Sequence, residues 1–123
     1  MSHIGWLSGL LEGEGCFTAV KSGSSGRYTT PAVVLAMTDL DVVIRAHKLM
    51  ARIGQREVQI SHRRLKSRKI VHSVYLTGLP AVKIMCRIRN EMGQRRGRMI
   101  DKIIADWHPK KYQAARQFKQ SLR

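Results

Sequence analysis

Trp6-Leu7-Ser8-Gly9-Leu10-Leu11-Glu12-Gly13-Glu14-Gly15-Cys16-Phe17 is the stretch on which the reading of the whole chain turns. Leu7, Leu10, Leu11 and Glu14 fall at i, i+3, i+4 and i+7, one face of a helix, and that face ends in a carboxylate. Gly5, Gly9 and Gly13 form a second row at four-residue intervals. A glycine inside a helix costs about 1 kcal/mol relative to alanine, so three in one short helix need a packing reason. Close approach supplies one: a stripe without side chains lets another backbone lie against the helix. Glu12 and Glu14 stand about 200° apart around a helix, so they point to different sides and do not readily share one ion. A carboxylate pair would then be Glu14 and its copy in a second chain, which predicts a homodimer. Read without that step, the stretch is an amphipathic core helix ending in an exposed acid.

Leu7-Ser-Gly-Leu-Leu-Glu-Gly-Glu-Gly15 resembles the nine-residue signature of the LAGLIDADG homing endonucleases, with Ser8 for alanine, Leu11 for isoleucine, Gly13 for alanine, and Glu12 and Glu14 for the two aspartates. Cys16-Phe17 opens a strand, as the corresponding residues do there. The resemblance implies that the motif helices of two copies pack together, which assigns Gly5, Leu7, Ser8, Gly9, Leu11 and Glu12 to a dimer interface. It further implies that Glu14 binds the catalytic divalent metal, Mg²⁺ with Mn²⁺ able to substitute, helped by the Gly13 carbonyl. Glutamate for aspartate at position 14 departs from the family and lengthens the reach by one methylene.

The charge points the same way. The 123 residues carry 23 Lys plus Arg against 8 Asp plus Glu, a formal net charge of +15, and such a field attracts polyanions, nucleic acid first among them; the resemblance implies that this partner is double-stranded DNA. A ribosomal-type or membrane-surface protein would share the number. Hydrophobic content of 43% fits a folded domain rather than a disordered tail. No apolar run approaches the roughly 18 residues of a membrane span, and no charged-then-apolar leader opens the chain, so the expected setting is intracellular: cytoplasm, nucleoid or organelle matrix. Cys16 and Cys86 have no CxxC partner and no metal-ligand spacing, and are expected to be buried thiols.

Outward from the motif, Ser2 caps a helix expected over residues 3–14, with Gly15 as its stop. Period-two alternation gives a strand from Phe17, a Gly/Ser-rich loop from Ser22, and a second strand over residues 29–38. Thr38 or Asp39 caps a helix over residues 41–53, closed by Gly54. A third strand is expected over residues 56–61 and a fourth over residues 70–77, separated by the basic turn His62-Arg-Arg-Leu-Lys-Ser-Arg-Lys69. Gly78-Leu79-Pro80 starts a largely apolar helix containing Lys83. Residues 94–123 read as a basic extension of one or two helices, broken near His108-Pro109, with Met99, Ile100, Ile103, Ile104 and Trp107 as its apolar stripe.

The expected fold is therefore α+β, one αββαββα domain over residues 1–123 with the extension at its end, and the resemblance implies the same layout. Two paired copies would set two antiparallel sheets side by side as a concave DNA-binding saddle. Outward strand residues such as Thr18, Val20, Ser22, Thr30, Gln59 and Ser61 would face base edges, with Arg27 and Tyr28 of the first loop and His72 flanking the basic turn as further DNA contacts. Arg63, Arg64, Lys66, Arg68 and Lys69 would contact phosphates. By resemblance Lys83 would lie near the scissile phosphates and stabilise charge, and Asp39 would stand beside the site. The function implied is a site-specific homing endonuclease of intron or intein mobility, making a metal-dependent double-strand cut in a long, nearly palindromic target as a homodimer. The alternatives are a catalytically silent DNA-binding regulator of the same fold and an intron RNA maturase.

Overall fold

A computed structural model of the chain describes residues 2–22 and 28–107. The elements run α1 (His3–Glu14), β1 (Gly15–Ser22), β2 (Tyr28–Met37), α2 (Leu40–Gly54), β3 (Ser61–Arg64), β4 (Ile70–Thr77), α3 (Leu79–Ile88), a 3-10 turn (Arg89–Glu91) and α4 (Gln94–Asp106). This is the expected α+β order, with a four-stranded antiparallel sheet in the order β1-β2-β4-β3.

The motif helix starts and stops as its residues require. The Ser2 hydroxyl accepts from the Gly5 N–H at 2.9 Å, which satisfies one of the free donors of the first turn. At the other end Gly15 keeps extended angles (φ −76°, ψ 158°) and passes directly into β1. Its lack of a side chain matters for space: a Cβ there would lie 2.7 Å from the Leu11 carbonyl oxygen.

The α2 helix closes differently from expectation. Gln55 takes the left-handed conformation (φ 55°), whereas Gly54 is the last helical residue. A Cβ on Gly54 would meet Leu76 and Pro80 at 3.2 Å, so the glycine serves helix-to-sheet contact and its neighbour makes the turn.

Strand alternation sorts the sheet into two faces. Phe17, Val33, Leu35, Val74 and Leu76 are buried on one, where they meet Leu7 and Leu11 of α1, Val43, Ala46 and Met50 of α2, Ile84, Met85 and Ile88 of α3, and Ile100 of α4. All four helices contribute to this core. Each fully buried aliphatic side chain stabilises the fold by about 1.5–3 kcal/mol. Arg45 stacks over the Trp6 ring at 3.9 Å and joins α2 to α1 on the outside. Arg89 and Asp101 bond through two parallel 2.8 Å contacts and hold the 3-10 turn to α4. Gly97 leaves room for that pair, since a Cβ there would lie 2.5 Å from Arg89 Nη1.

Three expectations are corrected. The third strand is Ser61–Arg64, not residues 56–61. Val58 and Ile60 pack against the core from an irregular segment, held where the Val58 carbonyl meets the His47 ring nitrogen Nε2. The basic run is thereby split: Arg63 and Arg64 are in the strand, while Lys66, Arg68 and Lys69 form a turn closed by Leu65 N–H to Lys69 carbonyl (2.8 Å) and Arg68 N–H to Leu65 carbonyl (2.9 Å). Lastly, Cys16 and Cys86 are exposed rather than buried, because Cys16 lies on the sheet face away from the core and Cys86 on the outer side of α3. The apolar stripe of α4 is as expected through Ile104, but the break near His108-Pro109 and the basic residues beyond it lie outside the described residues.

Candidate functional site

Among the described residues no helix lies on the second face of the sheet. Residues of β1 that alternate with buried Phe17 lie on it, with Cys16 paired to Val34, Thr18 to Ala32 and Val20 to Thr30. Across β2, Val34 pairs with Tyr75 and Ala36 with Ser73, and on the outer strand Ser61 pairs with Ser73 and Arg63 with Val71. Partners opposite one another in a sheet share a face. Thr18, Val20, Thr30, Ser61 and Arg63 are thus brought onto one surface. Ser22 and Tyr28 are Cα partners at the end of the same ladder. Arg27 lies outside the described residues.

Two expected members belong elsewhere. Arg64 pairs with Ile70 and His72 with both Met37 and His62, which places them on the helix-side face. The reason is register: a two-residue side-chain period assigns neighbours to opposite faces, so Arg63 and Arg64 cannot both face the same way. Gln59 is exposed in the segment before β3 and belongs to neither face. Lys66, Arg68 and Lys69 are exposed at the hairpin tip, available to phosphates along the rim.

Tyr75 was not singled out from the sequence, yet it is 48% exposed on the free face in the row Cys16–Val34–Tyr75. Its signal lay in the alternation of Ile70–Thr77, where Val74 and Leu76 turn inward and Tyr75 outward. Val20, 37% exposed, adds an apolar side chain to the same face.

The acids of the motif part company. Glu12 turns to its own chain, where its carboxylate accepts from the Gly93 N–H at 3.3 Å, at the N-cap of α4. Negative charge is favourable there because the helix dipole is positive at its N-terminus. Glu14 and Gly13 are exposed at the last turn of α1, and among the described residues nothing bonds to the Glu14 carboxylate. Because Gly15 pairs with Leu35, Glu14 lies at the end of the sheet where β2 finishes, and Asp39 follows at that same end. Asp39 occupies the N-cap position of α2, but its side chain makes no capping bond and is exposed.

Lys83 is not brought to this end. Strand β4 runs to the opposite edge before Gly78 donates to the Pro31 carbonyl at 2.8 Å, and α3 starts there. The Lys83 ammonium donates to the Gln55 side-chain carbonyl, at the far end of α2. Arg96 is a cation that does reach the α1–β1 junction. Its Nη1 donates to the Gly15 carbonyl at 2.6 Å, and its guanidinium lies 5.6 Å from the centroid of the Phe17 ring. The Arg96 Nε is buried and has no partner among the described residues. Nothing in the local sequence separates Arg96 from Arg95 and Arg98. The apolar stripe of α4, with buried Gly97 and Ile100 beside it, is the signal that turns Arg96 inward.

The expected dimer face also divides. Leu7 and Leu11 are fully buried in the core of their own chain, and Glu12 is engaged with Gly93, so these three are withdrawn from a contact between copies. Ser8 is buried as well, and its hydroxyl has no partner among the described residues. Gly9 and Gly13 face open space, with no atom within 4 Å of where a Cβ would stand, and Gly5 is half-buried.

The donors at Glu14 and Gly13, one carboxylate and one carbonyl, are hard oxygens of the kind that Mg²⁺ prefers. Among the described residues no group of three His, Cys, Asp or Glu side chains converges on one point. Glu14 and Asp39 are the two carboxylates that the motif helix and the start of α2 bring to this end of the sheet. No helix among the described residues is long and apolar enough to cross a membrane. Compared with models of known protein families, with curated proteins and with solved structures, the chain has no match.

Proposed function

We propose that the chain is a LAGLIDADG-type homing endonuclease that works as a homodimer and cuts both strands of a long, nearly palindromic DNA site. The observation that carries this reading is the contrast between the two acids: Glu12 is bonded within its chain, whereas Glu14 stands exposed and free of partners among the described residues. A carboxylate held out at the junction of the motif helix and an uncovered sheet, in a chain of net charge +15, would repel phosphate unless it served a cation.

Glu14 and the Gly13 carbonyl would hold Mg²⁺, which when bound supplies charge stabilisation at phosphorus and a lowered pKa for water. The sheet does the remainder. Thr18, Val20, Thr30, Ser61, Arg63 and Tyr75 face the major groove, for which a β-ribbon is wide enough, and Lys66, Arg68 and Lys69 hold the backbone. Arg96, rather than Lys83, is the cation near the acid. Through the Gly15 carbonyl it fixes the α1–β1 junction, and so the direction in which Glu14 leaves the helix.

A binding protein of the same fold, either a DNA regulator or an intron RNA maturase, is the second reading. It is favoured by the position of Lys83 at the other end of the sheet, which leaves the acidic end without the lysine that cleavage was expected to use. The test is incubation of a randomised duplex library with wild type and Glu14→Gln in Mg²⁺. The nuclease reading expects defined double-strand ends from wild type and binding without cutting from the variant. Binding by both with cutting by neither would replace it with the regulator, and preference for folded intron RNA over duplex DNA with the maturase.

A further inference from the structure

His62 and His72 are Cα partners across β3 and β4, so both imidazoles project from the same side of the hairpin. Their Nδ1 atoms are 2.6 Å apart, the ring centroids 4.9 Å apart, and the ring planes cross at 79°. This is the helix-side face, away from the surface assigned to DNA. It is uncovered at this corner, since neighbouring Ile70 is 40% exposed, His62 is exposed and His72 half-buried.

We propose that this pair is a two-imidazole site for a borderline divalent transition metal, Zn²⁺ being the representative ion. In the metal-free chain the two Nδ1 atoms face each other at hydrogen-bond distance, and a pair of imidazole nitrogens this close is a donor set that Zn²⁺, Ni²⁺ and Cu²⁺ take and that Mg²⁺ does not. With metal–nitrogen bonds of about 2.0–2.1 Å, the two nitrogens need to separate to roughly 3 Å, a small χ rotation for side chains at an open edge. Each ring would bind through Nδ1 and keep its Nε2–H for solvent. Water completes the coordination sphere, because among the described residues no carboxylate or thiol joins the pair. The site differs from the oxygen donors at Glu14 in chemistry and lies on the outer strand pair β3–β4 rather than on α1, and it stands whether or not the chain is a nuclease.

A bound ion would link the four-residue edge strand β3 to β4 and thereby hold the turn that carries Lys66, Arg68 and Lys69. A ligand that binds the folded state alone raises its stability by mass action.

The experiment is Zn²⁺ titration of the full chain followed by the imidazole NMR resonances and by calorimetry, with Mg²⁺ as the control ion and His62→Gln and His72→Gln as variants. The expected result is one equivalent bound, with the His62 and His72 ring signals moving together, a raised Tm, and affinity about tenfold weaker or more in either variant. Circular dichroism of the variants should match wild type, since both side chains are at the surface. Excess Zn²⁺ that leaves both sets of ring signals unmoved, or that binds the variants as well as wild type, would overturn the proposal.

Discussion

Asp101 and Arg89 show what a single surface pair can and cannot do. The hydrogen bonds from Arg89, followed by its charge, hold the Asp101 carboxyl below its ordinary value and raise the Arg89 guanidinium. A carboxyl lowered on folding contributes stability above its unfolded pKa of about 4, and that contribution is lost as pH falls through the lower, folded value. The dependence on pH thus belongs to the acid side of about pH 4, and neutral pH leaves the pair intact. Both groups are exposed, so the effect is modest. Thermal melts from neutral pH into acid should show wild type losing part of its advantage over Asp101→Asn in that window; parallel curves would mean that the pair contributes nothing. Glu12 and Glu14 make the same point about context. They are the same residue type two positions apart, and only the fold, by bringing Gly93 to one of them, gives them different surroundings.

At the scale of elements, the junction of α1, β1 and α4 rests on Arg96. Arg96→Ala removes the bond to the Gly15 carbonyl and the contact with Phe17, and should lower unfolding free energy by about 1–3 kcal/mol in denaturant titration. A loss within experimental error would show that α4 docks through its apolar stripe alone. Most elements could be read from the sequence, because periodicity and caps are local. Helix α1 begins after Ser2 and passes to the strand at Gly15, and β4 spans Ile70–Thr77 as its alternation requires. The misreadings have non-local causes. Val58 and Ile60 alternate like a strand, but the contact of His47 with the Val58 carbonyl keeps that segment out of the ladder, and β3 forms one step later from residues that look like a loop. Lys83 follows β4 in sequence, but β4 runs away from Glu14, and the cation that bonds at the α1–β1 junction is Arg96, 13 positions further on in α4. The free face was legible from alternation wherever the register was right, as for Thr18, Val20 and Thr30. It failed for Arg64 and His72, where adjacent cations and histidines were read as one patch although the pleat separates them.

For the whole molecule, a charge of +15 guarantees affinity for polyanions that falls with salt, so retention on DNA alone says little about function. The proposed function needs something narrower: two copies would meet along the glycine row of α1 and thereby set two Glu14 carboxylates on one duplex. Because a Cβ at Gly9 would meet nothing within 4 Å in the single chain, Gly9→Leu leaves the fold intact and improves helix propensity by up to about 1 kcal/mol. The same side chain would block close approach by a second helix. The most direct measurement is therefore the mass in solution, by sedimentation equilibrium, of wild type and Gly9→Leu, with circular dichroism and thermal melting recorded for both. The account predicts a wild-type dimer of twice 14.0 kDa and a Gly9→Leu monomer that melts no lower than a wild-type chain diluted to monomer. A wild type that stays monomeric at concentrations that saturate DNA, or a dimer that Gly9→Leu leaves undisturbed, would contradict it.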